Sequence, residues 1–187
     1  MKEIVFAGFG GQGVLTAGLL MSQMAIYKGY HATWSPQYGS AMRGGTANCT
    51  VKFCEDRIYN PSLEEPDIVL AMNTPAFKQF IPLVKPGGTI VINSNMVPAS
   101  LNTRDDIKII EVPCMAMAEE LEHAKGANII MVGVIVKETG YFTEEESLDG
   151  MNDMFRKKGK DKFEQLNTRA LKAGFNYSMN GAGTLSV

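Results

Sequence analysis

The sequence predicts an α/β fold of three layers, a mainly parallel, doubly wound sheet between helices, with an inserted hairpin. Three observations predict it. Short continuous apolar runs at Ile4–Ala7, Ile68–Met72 and Thr89–Ile92 read as strands buried on both faces. Segments of helical character stand between them, as in βαβ units. A glycine-rich turn, Gly8 to Gly13, joins the first strand to the first helix in the Rossmann-like manner.

The elements follow in order. After the turn, Leu15, Leu19, Leu20, Met24 and Tyr27 recur at helical spacing over 14–28, and Gly29 stops the helix. His31-Ala32-Thr33-Trp34 fits a second strand. Thr46 to Phe53 alternates and is β-prone, with Val51 and Phe53 on one face. The stretch from Thr33 to Phe53 has no helix pattern and reads as a glycine-rich loop and hairpin where a second helix would be expected. Thr74-Pro75 opens a helix with proline in its first turn, ending near Lys85-Pro86-Gly87-Gly88. Ile107 to Val112 is a further strand, Met115 to Lys125 a helix, and Asn128 to Val136 an apolar continuation. Glu144 to Lys172 is an amphipathic helix or pair whose seven basic and seven acidic residues suggest a solvated face.

The chain has 187 residues, enough for one domain, placed at 1–177 with 178–187 as a flexible tail. A net charge of −2 supplies no basic field for nucleic acid or an anionic membrane. No run of about 20 apolar residues exists to span a bilayer, and no signal peptide is evident at Met1–Phe6. Cys49, Cys54 and Cys114 lack the spacing of a disulfide framework or a metal set, which implies reduced thiols and a cytoplasmic protein. Charge is distributed unevenly. Residues 1–50 carry only Lys2, Glu3, Lys28 and Arg43, where an average composition would supply about 10 charged groups.

The turn Gly8-Phe9-Gly10-Gly11-Gln12-Gly13 has the glycines that let a backbone approach a pyrophosphate at a helix N-terminus. The acid that should follow the second strand is missing, because His31 to Pro36 holds neither an acid nor an arginine. A free-standing NAD(P) enzyme is therefore only half supported. A methyltransferase reading of Leu83 to Gly88 lacks the same acid, and a helix stop and turn explains that segment. A second cluster, Tyr38-Gly39-Ser40-Ala41-Met42-Arg43-Gly44-Gly45-Thr46, holds one charge. Arg43 could fork onto a carboxylate or phosphate, or pin the loop to backbone carbonyls. His31, His123, Ser40 and Cys114 form no recognisable nucleophilic triad, and Glu119 with His123 is too small a set for a metal.

Four blocks together carry a more specific resemblance. Gly8 to Val14 followed by Thr16-Ala17-Gly18, then Tyr38-Gly39 with Arg43-Gly44-Gly45, then Ile58-Tyr59-Asn60-Pro61 leading to Asp67–Asn73, then Asn128 to Gly133, occur in order. They resemble the gamma subunit of 2-oxoacid:ferredoxin (or acceptor) oxidoreductases over roughly residues 3–175. Ser40, Ala41 and Met42 stand where the commonest form of the second block has a proline and an acid.

The resemblance implies a subunit of an enzyme that converts a 2-oxoacid and coenzyme A to acyl-CoA and carbon dioxide, with 2-oxoglutarate slightly preferred over pyruvate or a branched-chain oxoacid. Thiamine diphosphate and iron–sulfur clusters would sit on partner alpha, beta and delta (ferredoxin-like) subunits, with ferredoxin or a similar acceptor taking the electrons. This chain would hold no catalytic residue, no metal and no cofactor of its own. Its implied roles are assembly and a share of the coenzyme A cavity. The implied interface residues are Tyr38, Gly39, Arg43, Gly44, Gly45 and Asn128. Coenzyme A phosphate is assigned to Gly8, Gly10, Gly11, Gln12, Gly13 and Arg43. The sparse charge of residues 1–50 agrees, because obligate interfaces are depleted in charge.

Overall fold

A computed structural model describes residues 1–39 and 45–178. These form a six-stranded sheet in the order β2-β3-β1-β4-β5-β6. β1 (Lys2–Phe9), β4 (Ile68–Ala71), β5 (Thr89–Asn93) and β6 (Lys108–Val112) run parallel. β2 (His31–Tyr38) and β3 (Thr46–Cys54) form the hairpin, with β3 antiparallel to both β1 and β2. The crossover from β1 through α1 (Val14–Tyr27) to β2 is thus retained, and β3 returns to fill the slot between them.

Period-two alternation decides which layer each strand residue enters. Ile4, Phe6, Leu70, Val91 and Ile110 join the core under α1, α4 (Ala127–Thr139), α5 (Glu144–Lys157) and α6 (Glu164–Phe175). Val5, Ala7, Val69, Ala71, Ile90 and Ile92 face the other way, onto Ala76, Phe77 and Phe80 of α2 (Thr74–Phe80). Each fully buried large aliphatic side chain contributes about 1.5–3 kcal/mol, so burial on both faces makes β1 and β4 the backbone of the fold.

Several elements differ from the sequence expectation, each for a local reason. β2 continues through Ser35-Pro36-Gln37 to Tyr38. The segment expected as one helix from Thr74 is α2 followed by a 3-10 turn at Ile81–Leu83, where Pro82 has no N–H to donate. Met115–Lys125 shortens to α3 (Cys114–Glu120), closed at Glu122, which has a φ of 54°. Asn128–Val136 is a separate helix, α4, buried at every one of those positions. The C-terminal segment is the pair α5 and α6. Thr143 and Glu146 form a reciprocal capping box at the start of α5. α4 and α6 cross closely: a Cβ on Gly174 would lie 1.9 Å from the Ile130 carbonyl oxygen. The Tyr177 hydroxyl donates to the Glu111 carbonyl at 2.7 Å and ties down the end of the described chain. Of the expected tail at 178–187, residues 179–187 lie outside the described residues.

Candidate functional site

The order of the elements creates a crevice. α1 leaves the carboxyl end of β1 toward one face of the sheet, and α2 leaves β4 toward the other. The gap above these adjacent strands is a topological switch point, the place where open α/β sheets bind ligands. Here it is filled by the chain's own Gln12. The Gln12 Oε1 accepts from the Phe9 N–H at 2.7 Å and from the Asn73 Nδ2 at 2.8 Å. Its Nε2 donates to the Met72 carbonyl at 3.4 Å and contacts Met96 Sδ at 3.4 Å. Asn73 in turn accepts from the Ala76 N–H at 2.9 Å and caps α2. Asn93, at the end of β5, donates to the same Met72 carbonyl at 3.3 Å. A carboxamide network therefore occupies the position at which a dinucleotide-binding turn would receive a pyrophosphate.

The glycines divide their roles. Gly8 is still in β1, paired with Ala47 of β3. Gly10 donates its N–H to the Gly45 carbonyl at 2.9 Å, which joins the first glycine turn to the root of the hairpin loop. Gly11 is exposed at the outer bend. Gly13 takes a φ of 74° as the N-cap of α1, and a Cβ there would stand 2.6 Å from Asn128 Nδ2. The space belongs to Asn128, whose amide donates to the Gly13 carbonyl at 3.1 Å. Asn128, which the resemblance assigned to an interface, is buried at 8% exposure and bonds α4 to the start of α1. Likewise the Gln12 side chain braces the turn through the Phe9 N–H and Asn73.

Tyr38 stands 58% exposed at the end of β2, and the Gly39 N–H closes the hairpin on the Thr46 carbonyl at 2.8 Å. Arg43 and Gly44 lie outside the described residues, as do Ser40, Ala41 and Met42. The sequence reading missed Asn73, Asn93, Met96 and Met115. Met96 and Met115 are 42% and 48% exposed, and the Met115 N–H donates to Asn95 Oδ1 at 3.1 Å. A signal was present for the asparagines, since Asn73 follows one buried apolar run and Asn93 ends another.

Lys2, Glu3 and Lys28, the described charges of the first fifty residues, lie away from this end. Lys2 and Glu3 begin β1, which at about 3.3 Å per residue puts them some ~20 Å from the turn. Lys28 pairs with Glu146 at 2.9 Å. The thiols of Cys49 and Cys114 are both pushed up to about 12 by burial, so neither is a nucleophile at neutral pH. His123 Nε2 lies 3.0 Å from Asn167 Oδ1. Among the described residues no group of three His, Cys, Asp or Glu could hold a metal ion, and no helix is long and apolar enough to cross a membrane.

Comparison with known proteins bears on the family and the fold. Ketoisovalerate oxidoreductase subunit VorA of Methanothermobacter marburgensis is 34% identical over 177 residues, covering 94% of this chain and 36% of that protein. The chain thus spans about a third of the length of such relatives. 2-Oxoglutarate synthase subunit KorC of Methanothermobacter thermautotrophicus is 30% identical over 188 residues, covering 97% of both chains. The crystal structure of a keto/oxoacid ferredoxin oxidoreductase gamma subunit from Geobacter sulfurreducens superposes with a TM-score of 0.78 at 26% identity, over 94% of this chain and 96% of that one. The family model for pyruvate ferredoxin/flavodoxin oxidoreductase matches residues 3–177, which takes in both glycine loops, the carboxamide-filled crevice and α4 through α6. The chain belongs to the pyruvate ferredoxin/flavodoxin oxidoreductase family.

Proposed function

We propose that this chain is the gamma subunit of a 2-oxoacid:ferredoxin (acceptor) oxidoreductase, and that the end of its sheet bearing the glycine loops packs against the thiamine-binding subunits. The carrying observation is the bond from Gly10 to Gly45, which merges two glycine loops into one surface free of described charges from the first fifty residues. Exposed Met96, Met115 and Tyr38 are set at the same end, and adaptable methionines and tyrosines suit a buried contact. Thiamine diphosphate and the iron–sulfur clusters belong, on this reading, to the partner alpha, beta and delta subunits, and ferredoxin or a similar carrier takes the electrons.

The preferred substrate is 2-oxoglutarate, because the 2-oxoglutarate synthase relative matches this chain from end to end. Coenzyme A would lie against the outer rim of the turn, its phosphate held by backbone N–H groups near Gly11 and by Arg43. The test is reconstitution with the other subunits. Oxoacid- and coenzyme A-dependent reduction of a viologen dye is expected only when this chain is present, with 2-oxoglutarate outpacing pyruvate and 2-oxoisovalerate. Arg43→Ala is expected to raise the coenzyme A KM about tenfold and leave the oxoacid KM alone. A chain that neither assembles nor supports turnover overturns the subunit reading, and an unchanged coenzyme A KM overturns the phosphate site.

A further inference from the structure

The amino ends of β1, β4 and β5 and the carboxyl end of α4 enclose an open cleft of about 330 Å³. It lies at the opposite end of the sheet from the glycine turn, which follows the carboxyl end of β1. Its floor is apolar, formed by the buried side chains of Ile68, Val91 and Ile135. Its rim is polar, and there the acceptors are in use while donors stand free. Both oxygens of Asp67 are occupied, Oδ2 by the Glu3 N–H at 2.8 Å and Oδ1 by the Lys85 ammonium. Glu138 is paired with Lys108. In the last turn of α4, Thr139 Oγ1 donates to the Ile135 carbonyl at 2.7 Å, and the Gly140 N–H donates to the Val136 carbonyl at 3.0 Å. The donors contrast with this. Among the described residues Lys2 pairs with no carboxylate, and its ammonium stands 5.0 Å from the centroid of the Tyr141 ring. The hydroxyls of Tyr141 and Thr89 have no hydrogen-bond partner among the described residues. Each carboxylate on the rim has its own lysine, so Lys2 is left as an unmatched positive charge. Tyr141 is held in place, because its ring meets Phe53 edge-on at 5.5 Å and its carbonyl accepts from Lys28 Nζ at 3.1 Å.

We infer that this cleft binds a small aliphatic carboxylate, its charged end on the Lys2 ammonium and the Tyr141 hydroxyl and its carbon chain on Ile68, Val91 and Ile135. The surplus of donors selects an anion, because an ionised carboxylate only accepts and asks for no donor acceptor pair that the rim lacks. The apolar floor selects an organic anion, each buried methylene tightening binding about fourfold. The volume falls at the low end of small-molecule pockets, about 300–1,000 Å³, which suits a chain of a few carbons and not a dinucleotide. The cleft is formed by this chain alone, so the inference does not depend on the subunit reading.

Titration of the isotope-labelled full chain with sodium butyrate, against sodium chloride at equal ionic strength, tests this by amide NMR. The amides of Lys2, Gly88, Thr89 and Tyr141 should shift saturably with butyrate, while those of Gly10 and Gly13 stay in place. Lys2→Met keeps the apolar stem and removes the ammonium, and Tyr141→Phe keeps the ring and removes the hydroxyl. Both chains should melt with the parent and bind butyrate more weakly, by about tenfold for Lys2→Met and about fivefold for Tyr141→Phe. Two more probes examine the parent chain itself. Acetate, shorter by two methylenes, should bind about tenfold more weakly than butyrate. Butyramide, which keeps the chain and lacks the charge, should not bind. Butyrate shifts that match those of chloride, or butyrate binding unchanged in Lys2→Met, overturn the site. Butyramide as tight as butyrate overturns the anion. Acetate as tight as butyrate, or inorganic phosphate tighter than butyrate, overturns the aliphatic carboxylate.

Discussion

Gln12→Ala is the most direct test of the filled crevice. The side chain supplies one acceptor to two donors, the Phe9 N–H at 2.7 Å and the Asn73 Nδ2 at 2.8 Å. Truncation leaves both without an acceptor in a half-buried setting, at about 1 kcal/mol each. The contacts made by Nε2, both 3.4 Å long, add little. The expected loss is thus about 2 kcal/mol, which for a domain of this size lowers Tm by about 4–8 °C. Thermal unfolding of the purified chain followed by circular dichroism is the assay. Gln12→Glu separates the acceptor from the donor: it keeps the oxygen for Phe9 and Asn73 but turns a second oxygen toward the Met72 carbonyl. Its Tm should fall as the carboxylate ionises and recover toward the parent value in acid, relative to the parent at each pH. A Gln12→Ala chain that melts within 1 °C of the parent refutes the reasoning, because the crevice would then hold its shape without the carboxamide.

Other expectations follow from the same geometry. Gly174→Ala places a Cβ against the Ile130 carbonyl at 1.9 Å and should push α4 from α6, with a loss above about 3 kcal/mol and a fall in Tm of 6 °C or more. Iodoacetamide at pH 8 should label the folded chain once, at the partly exposed Cys54, and the unfolded chain at all three cysteines, since burial holds Cys49 and Cys114 at about 12. Lys52 bonds to Glu64 and holds its carboxyl below the usual value of 4.5. That contribution to stability is complete above the unfolded pKa and is lost as pH falls through the lower folded one. Glu64→Gln should therefore lose less stability than the parent between about pH 5 and 3, measured by urea unfolding.

Legibility from sequence followed the range of the interactions. β1, β4 and β5 were readable because burial on both faces leaves an unbroken apolar run, a purely local mark. α4 gave no helical period for the same reason: a helix buried all round has no polar face to set a rhythm. The sequence fits a strand to His31–Trp34 and reads the stretch beyond as loop and hairpin, yet β2 runs on to Tyr38. It continues because Pro36 falls where the ladder needs no N–H, a fact of register that composition does not carry. Gly13 was readable only as one glycine of a turn; the contact that crowds it, the Asn128 amide, lies 115 residues further on.

Gln12 shows why the motif and its function can part. The glycine spacing records only that the backbone turns sharply into a helix and admits something close. In a dinucleotide site that something is a pyrophosphate, and its presence is betrayed by an acid after the second strand. Here the segment after His31 offers no acid, and the space is taken by a glutamine from within the turn, held by an asparagine 61 residues away. Filling the crevice from inside gives the turn hydrogen-bond partners from its own chain. Its outer surface is bonded through Gly10 to the Gly45 carbonyl at the hairpin root. Obligate contacts favour surfaces already ordered, because these lose little conformational entropy when they are covered. On the proposed reading the same turn that in other chains meets a nucleotide is suited to meet a protein, and the charge-poor first fifty residues and the half-matched glycine motif are then one feature and not two.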